Sequence, residues 1–314
     1  MYLKVLLSKG MAKILISGGS GLTGQAISRL LADQGHEPRW LSREEGSWNG
    51  IQKFRWNVSK GTIDERAFEG VDYVIHLAGA GVMARRWNAS YKAEILSSRI
   101  RSSELLFDTI SRHGFPVKAL AGAGAVGYYG NHASDELYTE ASPPGEDFLA
   151  HVCLDWENSY QPFIRSGIRT VVLRTGIVLS ASGGAYPRML PLFKAGLGSA
   201  LGSGRQYFPW IHLNDLAAIY SYALEQESLS GTYNAVSSQP VRQDVFSSQL
   251  AKSLNKSFFM PPVPGFLLRL VLGESASALT SGLRISNEKI RDTGFHFRYD
   301  SLNTALEALK HRDQ

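Results

Sequence analysis

The residues most able to do chemistry in this chain are a run of seven, Gly18-Gly19-Ser20-Gly21-Leu22-Thr23-Gly24. Glycines at 18, 21 and 24 recur at every third position, and between a strand and a helix such a frame binds the pyrophosphate of a dinucleotide. One glycine makes the tight turn, one lets the backbone approach the phosphates, and one lets helix and strand pack closely. The helix N-terminus adds unpaired N–H groups and a partial positive charge. The expected phosphate-facing set is Gly18, Ser20, Gly21, Leu22, Thr23 and Gly24. Nineteen residues after Gly24 comes Arg43, with Ser42 before it. NAD-binding chains usually place an acid there for the ribose 2′-hydroxyl, whereas a guanidinium pairs with a 2′-phosphate and a serine hydroxyl donates to the same group. The cofactor expected is therefore NADP, with Glu44 and Glu45 as the acids able to read a plain ribose instead.

Groups able to move a proton are fewer. Tyr128 and Tyr129 fall at the C-terminal end of an apolar strand, the edge where open α/β sheets build their ligand crevice, and they either transfer protons or pack an aromatic wall. Glu136 and Glu140 follow in a loop; His151 sits on a helical stretch; His212 lies between Trp210 and Asp215. Tyr128, Tyr129, His151 and His212 are the candidates for catalysis. Arg99 and Arg174 are expected to face the cofactor or a phosphate, and as members of buried pairs they would look the same. Cys153 has no recognisable base partner, and nothing in the sequence has the spacing of a metal site.

The elements that must hold these residues alternate along the chain. Lys13 to Ser17 reads as a strand, the pattern from Leu22 through Leu31 as a helix stopped at Gly35, and Arg39 to Leu41 as the second strand. Further strands are expected at Phe54 to Trp56, Val71 to Leu77, Val117 to Ala121, Arg169 to Arg174 and Gly231 to Val236. Helices are expected at Asn88 to His113, Asp147 to Ser166 and Asn214 to Gln226. This rhythm predicts an α/β fold with a Rossmann-type doubly wound parallel sheet and a smaller C-terminal substrate lobe. The expected nucleotide-binding domain spans residues 11–176, rejoined by 210–236. The lobe comprises residues 177–209 and 237–314, and a deep aromatic and glycine-lined pocket around Tyr186 to Trp210 facing the nicotinamide would favour an enzyme.

Composition bounds the rest. The chain has 314 residues, 44% hydrophobic and 19% charged, which is a globular mixture and not a disordered one. The formal charge of +5 is scattered, without the basic and aromatic runs of a nucleic-acid groove, and a small anionic ligand accounts for it. No apolar run reaches the ~18 residues of a membrane span. A single cysteine points to a reducing, cytoplasmic setting without disulfides. The first ten residues read as a leader before an alternative start at Met11. The expected partner is a small molecule, anionic or sugar-like, with neither nucleic acid nor membrane.

Together, the glycine frame, His76-Leu77-Ala78-Gly79 and Val126-Gly127-Tyr128-Tyr129-Gly130 resemble the extended short-chain dehydrogenase/reductase superfamily. More narrowly, the chain resembles its YfcH-like "epimerase family" branch, proteins described as nucleoside-diphosphate-sugar epimerases. Arg85-Arg86-Trp87-Asn88, Phe148 to Glu157, Leu173 to Leu179, Phe208 to Asp215 and Gly294 to Phe297 carry that resemblance, which covers residues 12 to 310. It implies a Rossmann domain binding NADP, with His76, Leu77, Ala78 and Gly79 beside the cofactor and a lobe over the nicotinamide. It also implies a Ser or Thr, a Tyr and a Lys for proton exchange, and here the sequence departs. Gly124 stands in the serine's place, and Phe148 and Val152, or one residue on Leu149 and Cys153, stand where Tyr and Lys belong. The expected activity is that of an atypical oxidoreductase or epimerase-like protein, and a non-catalytic NADP-binding sensor or scaffold is the alternative.

Overall fold

In a computed structural model, residues 10–310 are described. The expected leader therefore lies, apart from Gly10, outside the described residues. Strand β1 (Lys13–Ser17) leads through the glycine turn into α1 (Leu22–Asp33), then β2 (Glu37–Ser42), β3 (Gly46–Trp48), β4 (Ile51–Asn57), β5 (Thr62–Ile63) and β6 (Tyr73–His76). The long α2 (Ala89–His113) is capped at its start by the Asn88 side chain, which accepts from the Tyr91 N–H, and at its end by Gly114 in the left-handed conformation. Next come β7 (Ala119–Ala125), β8 (Ala133–Tyr138), α3 (Phe148–Asn158), α4 (Gln161–Arg165), β9 (Arg169–Thr175), β10 (Ile177–Leu179) and α5 (Tyr186–Lys194). The chain ends through β11 (Trp210–His212), α6 (Leu213–Glu225), β12 (Gly231–Ala235), α7 (Gln243–Ser253), α8 (Gly265–Leu272), α9 (Ser277–Thr280), β13 (Gly282–Ile285), α10 (Glu288–Asp292) and α11 (Leu302–Lys310).

The main sheet runs β12-β9-β7-β6-β1-β2-β4-β3, parallel from β12 to β4. Its strands are apolar on both faces because both are covered. Ile14 and Ile16 point into one core with Ile27 and Leu31 of α1 and Leu216, Ile219 and Tyr220 of α6. Leu15 between them points into the other, with Leu106 and Ile110 of α2, Trp156 and the Tyr160–Phe163 turn. That alternation is the physical content of a doubly wound sheet. A third core, built on Leu190, Trp210, Phe246, Leu250 and Leu306, holds the C-terminal elements together. It is moored to the sheet domain by the buried Asp215, which accepts from the N–H groups of Arg298 and Tyr299 at 2.9 Å each.

Several elements differ from the sequence reading, and one of them is β8, a strand that carries Glu136 where a loop was expected. The single helix expected over 147–166 is two, because Pro162 lacks the N–H an uninterrupted helix would need and is tolerated only in the first turn of α4. The expected short run at Phe54 to Trp56 is the end of a hairpin, β3 paired antiparallel to β4. Its turn residues Asn49 and Gly50 have φ of 47° and 81°, the pair of positive values that an Asn-Gly hairpin turn requires.

Candidate functional site

The site occupies the C-terminal edge of the parallel strands, where two cavities lie close to each other. The larger, about 1230 Å³, runs over the glycine turn and the ends of β2, β4 and β6. Gly18, Ser20, Ser42, Arg43, Glu44, Ala78 and Gly79 line it, together with Trp40, Lys53 and Arg55. Gly21, Leu22, Thr23 and Gly24 form the cap and first turn of α1 beside it. Gly21 is the helix N-cap and has no side chain with which to cap the free N–H groups.

The glycines divide by what surrounds them. Gly18 has φ +73°, and a Cβ there would lie 2.9 Å from the Leu77 carbonyl carbon. A Cβ on Gly19 would meet the Trp40 indole at 2.4 Å, and one on Gly24 would meet the Gly18 carbonyl oxygen at 2.4 Å. These three serve the turn and its packing. Gly21 does not: its φ is −75°, and a Cβ would meet only the Gly18 oxygen, at 3.3 Å. The protein's own packing leaves the space above Gly21 open, and that space fits the pyrophosphate of a dinucleotide whose charge the α1 N-terminus complements.

Three cations stand on the crevice wall. Arg43 follows β2, and Lys53 and Arg55 come from β4 next to it. Sequence reasoning missed the latter two; the Asn49-Gly50 turn signal would have paired β3 with β4 and brought them beside β2. Glu45 turns toward Arg66, at 3.5 Å, while Glu44 remains on the crevice wall. Trp40 and Trp48 stack with centroids 4.8 Å apart, both on the crevice wall.

The second cavity, about 200 Å³, opens past β7 between α3 and the β13 segment. Its walls include Val126, Gly127, Leu149, Val152, Cys153 and Trp156, with Arg99, Asn131 and Asp147 as polar groups. The stretch from Tyr186 to Trp210 contributes little to it, and a separate narrow pocket lies against Tyr207, Phe208 and Trp210. Tyr186 and Trp210 are fully buried in the third core, and only Pro209 of that stretch reaches this cavity.

Around it the structure accounts for the departures from the family pattern. Arg174 forms a two-pronged ion pair with Glu157, 2.8 Å on each arm, donates to the Tyr129 hydroxyl at 3.0 Å, and stacks 3.4 Å over the Tyr128 ring. A Cβ on Gly124 would lie 3.3 Å from Glu157 Oε1 and 3.2 Å from Val172, so this ion pair crowds the position where the family's serine would stand. Phe148 packs edge-on against Trp87, and Val152 joins the same cluster with Tyr91 and Ile95. Arg174 thus lies in a buried ion pair and on neither cavity wall.

The other candidates sort by contact. Tyr129 donates to Asn234 Oδ1 at 2.7 Å, and burial holds its phenol up at about 12 despite the Arg174 charge. Glu140 accepts from the Asn234 N–H, and Glu136 is exposed on β8. His151 is exposed, its Nδ1 2.8 Å from the Asp147 carbonyl. His212 caps α6 by accepting from the Asn214 N–H and lies 3.8 Å from the Tyr299 ring. His76 is wholly buried between the hydroxyls of Ser17 and Ser102; burial and then the nearby Arg99 charge lower its pKa to about 3, so it is neutral. Leu77 donates its N–H to the Ser17 carbonyl. Burial pushes the Cys153 thiol up to about 12. Among the described residues no group of three or more His, Cys, Asp or Glu is placed to hold a metal, and no helix is long and apolar enough to cross a membrane.

A sequence profile of the NAD dependent epimerase/dehydratase family matches residues 14–235. The chain belongs to that family. A second profile, a domain of unknown function (DUF1731), covers residues 263–309 of this epimerase-family chain. It is 36% identical to the epimerase family protein Mb2239 of Mycobacterium bovis, over 94% of its own length and 96% of the relative's. It is 35% identical to the mouse epimerase family protein SDR39U1, over 94% and 98%. The crystal structure of human SDR39U1 (isoform 2) with NADPH superposes with a TM-score of 0.85 at 31% identity, covering 95% of this chain and 99% of that one. A UDP-glucose 4-epimerase from Thermotoga maritima, at 17% identity and a TM-score of 0.76, shares the fold of this family member.

Proposed function

We propose that the chain is an NADP(H)-dependent oxidoreductase acting on a small molecule held in the second cavity, a short-chain dehydrogenase/reductase that works without the Tyr/Lys pair. The observation that carries this reading is the charge on the crevice wall, where the three cations Arg43, Lys53 and Arg55 stand against two acids, Glu44 and Glu94, among the described residues. A 2′-phosphate is the group of NADP that NAD lacks. The NADPH named with the human relative supports the same choice.

When bound, the nicotinamide supplies hydride exchange with a substrate carbon. The chain's own residues bind and position the two reactants. The α1 N-terminus and the Gly21 gap take the pyrophosphate, Ser42 and Arg43 take the ribose phosphate, and the apolar walls past β7 exclude water from the substrate. Phe148 and Val152 cannot exchange a proton with a sugar hydroxyl, so UDP-glucose and UDP-galactose are not expected to turn over.

A charge-assisted hydrogen bond from Arg43 to the 2′-phosphate contributes about 1.5–3 kcal/mol, so NADPH should bind roughly ten- to a hundredfold more tightly than NADH. Calorimetric titration of both nucleotides into wild type and Arg43→Ala tests this. The variant should weaken NADPH alone; equal wild-type affinities, or parallel loss of both, would overturn the assignment. Tight NADPH binding with no reduction of any carbonyl offered would favour a sensor in place of an enzyme.

A further inference from the structure

Among the described residues Arg99 is a buried cation with no counter-ion. It is 8% exposed, and its Nη1 donates to two backbone carbonyls, Ala80 at 3.1 Å and Ile95 at 2.8 Å. Its guanidinium carbon lies 4.7 Å from the centre of the Trp156 ring. Its Nε and Nη2 make no hydrogen bond and no carboxylate pairs with it among the described residues, while the side chain lines the second cavity. Neighbouring groups that might supply a negative charge do not: Cys153 is held as the thiol by burial, and burial likewise keeps Tyr160 a neutral phenol. Glu157, the nearby carboxylate on α3, is already in its two-pronged pair with Arg174. Burying a guanidinium is costly unless charge and hydrogen bonds compensate, so an unpaired one at a cavity wall implies an anion from outside the chain.

The chain is built to put it there. Gly79 has no side chain, and a Cβ would lie 3.1 Å from Arg99 Cγ and Cζ. The glycine that follows β6, itself on the wall of the first cavity, therefore makes room for the guanidinium. Ser98 and Ser102, one residue before and three after on α2, line the cofactor crevice, while Arg99 itself lines the substrate cavity.

We infer that Arg99 is the specificity-determining residue of the second cavity and that the substrate is a compact monocarboxylate with an apolar body, its carboxylate on the free Nε and Nη2 edge of Arg99. This rests on the oxidoreductase reading of the site and names the substrate class. The cavity is small and its walls are mostly apolar, from Val82, Val126, Leu149, Val152, Trp156 and Ile177. They offer a sugar's hydroxyls few partners. Asp147 on the same wall opposes a dianion, so a single negative charge suits the site better than a phosphate.

The test uses benzoate, phenylacetate and hexanoate, each beside its neutral amide, titrated calorimetrically into the full-length protein with and without saturating NADPH. At least one acid should bind about tenfold or more tightly than its amide, the scale of one charge-assisted pair. Arg99→Gln should abolish that preference and leave NADPH affinity within about threefold. Val152→Phe, which narrows the cavity from α3 and leaves the guanidinium in place, should weaken acid and amide together, and it decides the matter if the Arg99 variant does not fold. No preference for any acid in the wild type, or a preference untouched by Arg99→Gln, would overturn the inference. So would a variant that loses NADPH and keeps the acids, which would put the guanidinium on the cofactor's phosphates. Failure of the wild type to bind NADPH while the acid preference survives would instead defeat the cofactor reading and leave Arg99 as a carboxylate site.

Discussion

Gly21 and Gly24 belong to one three-residue frame, yet a valine at each should act on different quantities. At position 24 the new Cβ would stand 2.4 Å from the Gly18 carbonyl oxygen, so α1 must move off the turn; overpacking of this kind costs about 1–3 kcal/mol, visible as a lower urea midpoint. At position 21 the backbone is already extended and meets little, so Gly21→Val should cost about 1 kcal/mol or less as a poorer N-cap while removing all calorimetric heat of NADPH binding. A Gly21→Val protein that still bound NADPH would show that the pyrophosphate lies elsewhere. His76 makes a second residue-scale case. Its pKa falls from 6.5 in the unfolded chain to about 3 in the folded one, so between those pH values the unfolded state carries the extra proton. Stability must then fall as pH falls through that window, by about 1.4 kcal/mol per pH unit from this one group. The imidazole resonances of His76 should not move between pH 7.5 and 4.5, and titration near 6.5 would mean that the ring reaches water.

At the scale of elements, β7 and α3 are matched by what each lacks. The strand carries glycine at 122 and 124, and a Cβ at those positions would run into the Tyr160 ring at 2.6 Å and Glu157 Oε1 at 3.3 Å. The acid in α3's last turn and the aromatic just after it need a strand without side chains, Gly124 for Glu157 and Gly122 for Tyr160. Glu157→Ala would leave the Arg174 guanidinium buried and unpaired, at a cost of about 3–5 kcal/mol in equilibrium denaturation. A loss under 1 kcal/mol would mean that water or Tyr129 replaces the carboxylate. The strands and helices of the sheet were legible because their apolar periodicity is set by the covered faces: Ile14, Leu15 and Ile16 are all buried, and Ile27 and Leu31 recur at helical spacing. The glycine frame was legible for a related reason, since its sequence spacing is its geometry. The pairing of Arg174 was not, because Glu157 lies 17 positions away on a different element and an arginine at a strand end looks the same paired or free. Nor was the second cavity, whose β13 wall is brought to β8 by parallel pairing between residues about 149 apart, beyond the reach of any periodicity.

The whole molecule is two sets of walls sharing one edge of the sheet. The cofactor crevice is drawn from residues 18–102, whereas the second cavity takes part of its wall from Ala278 to Ile285. That C-terminal part is tied back by Asp215 through two backbone N–H groups, with burial raising the carboxyl's pKa and those two bonds lowering it. Binding and lobe order should therefore separate. In the wild type, NADPH at a hundred times its Kd adds about 2.7 kcal/mol to stability and should raise Tm by roughly 5 °C. Asp215→Ala strands the N–H groups of Arg298 and Tyr299 and should cost about 2–4 kcal/mol, with faster hydrogen exchange confined to residues 295–310. The same NADPH increment should survive in that variant, because no wall of the crevice depends on the tether. Disappearance of the NADPH shift together with the tail's protection would show that the lobe is needed to hold the cofactor, and that the two cavities act as one site.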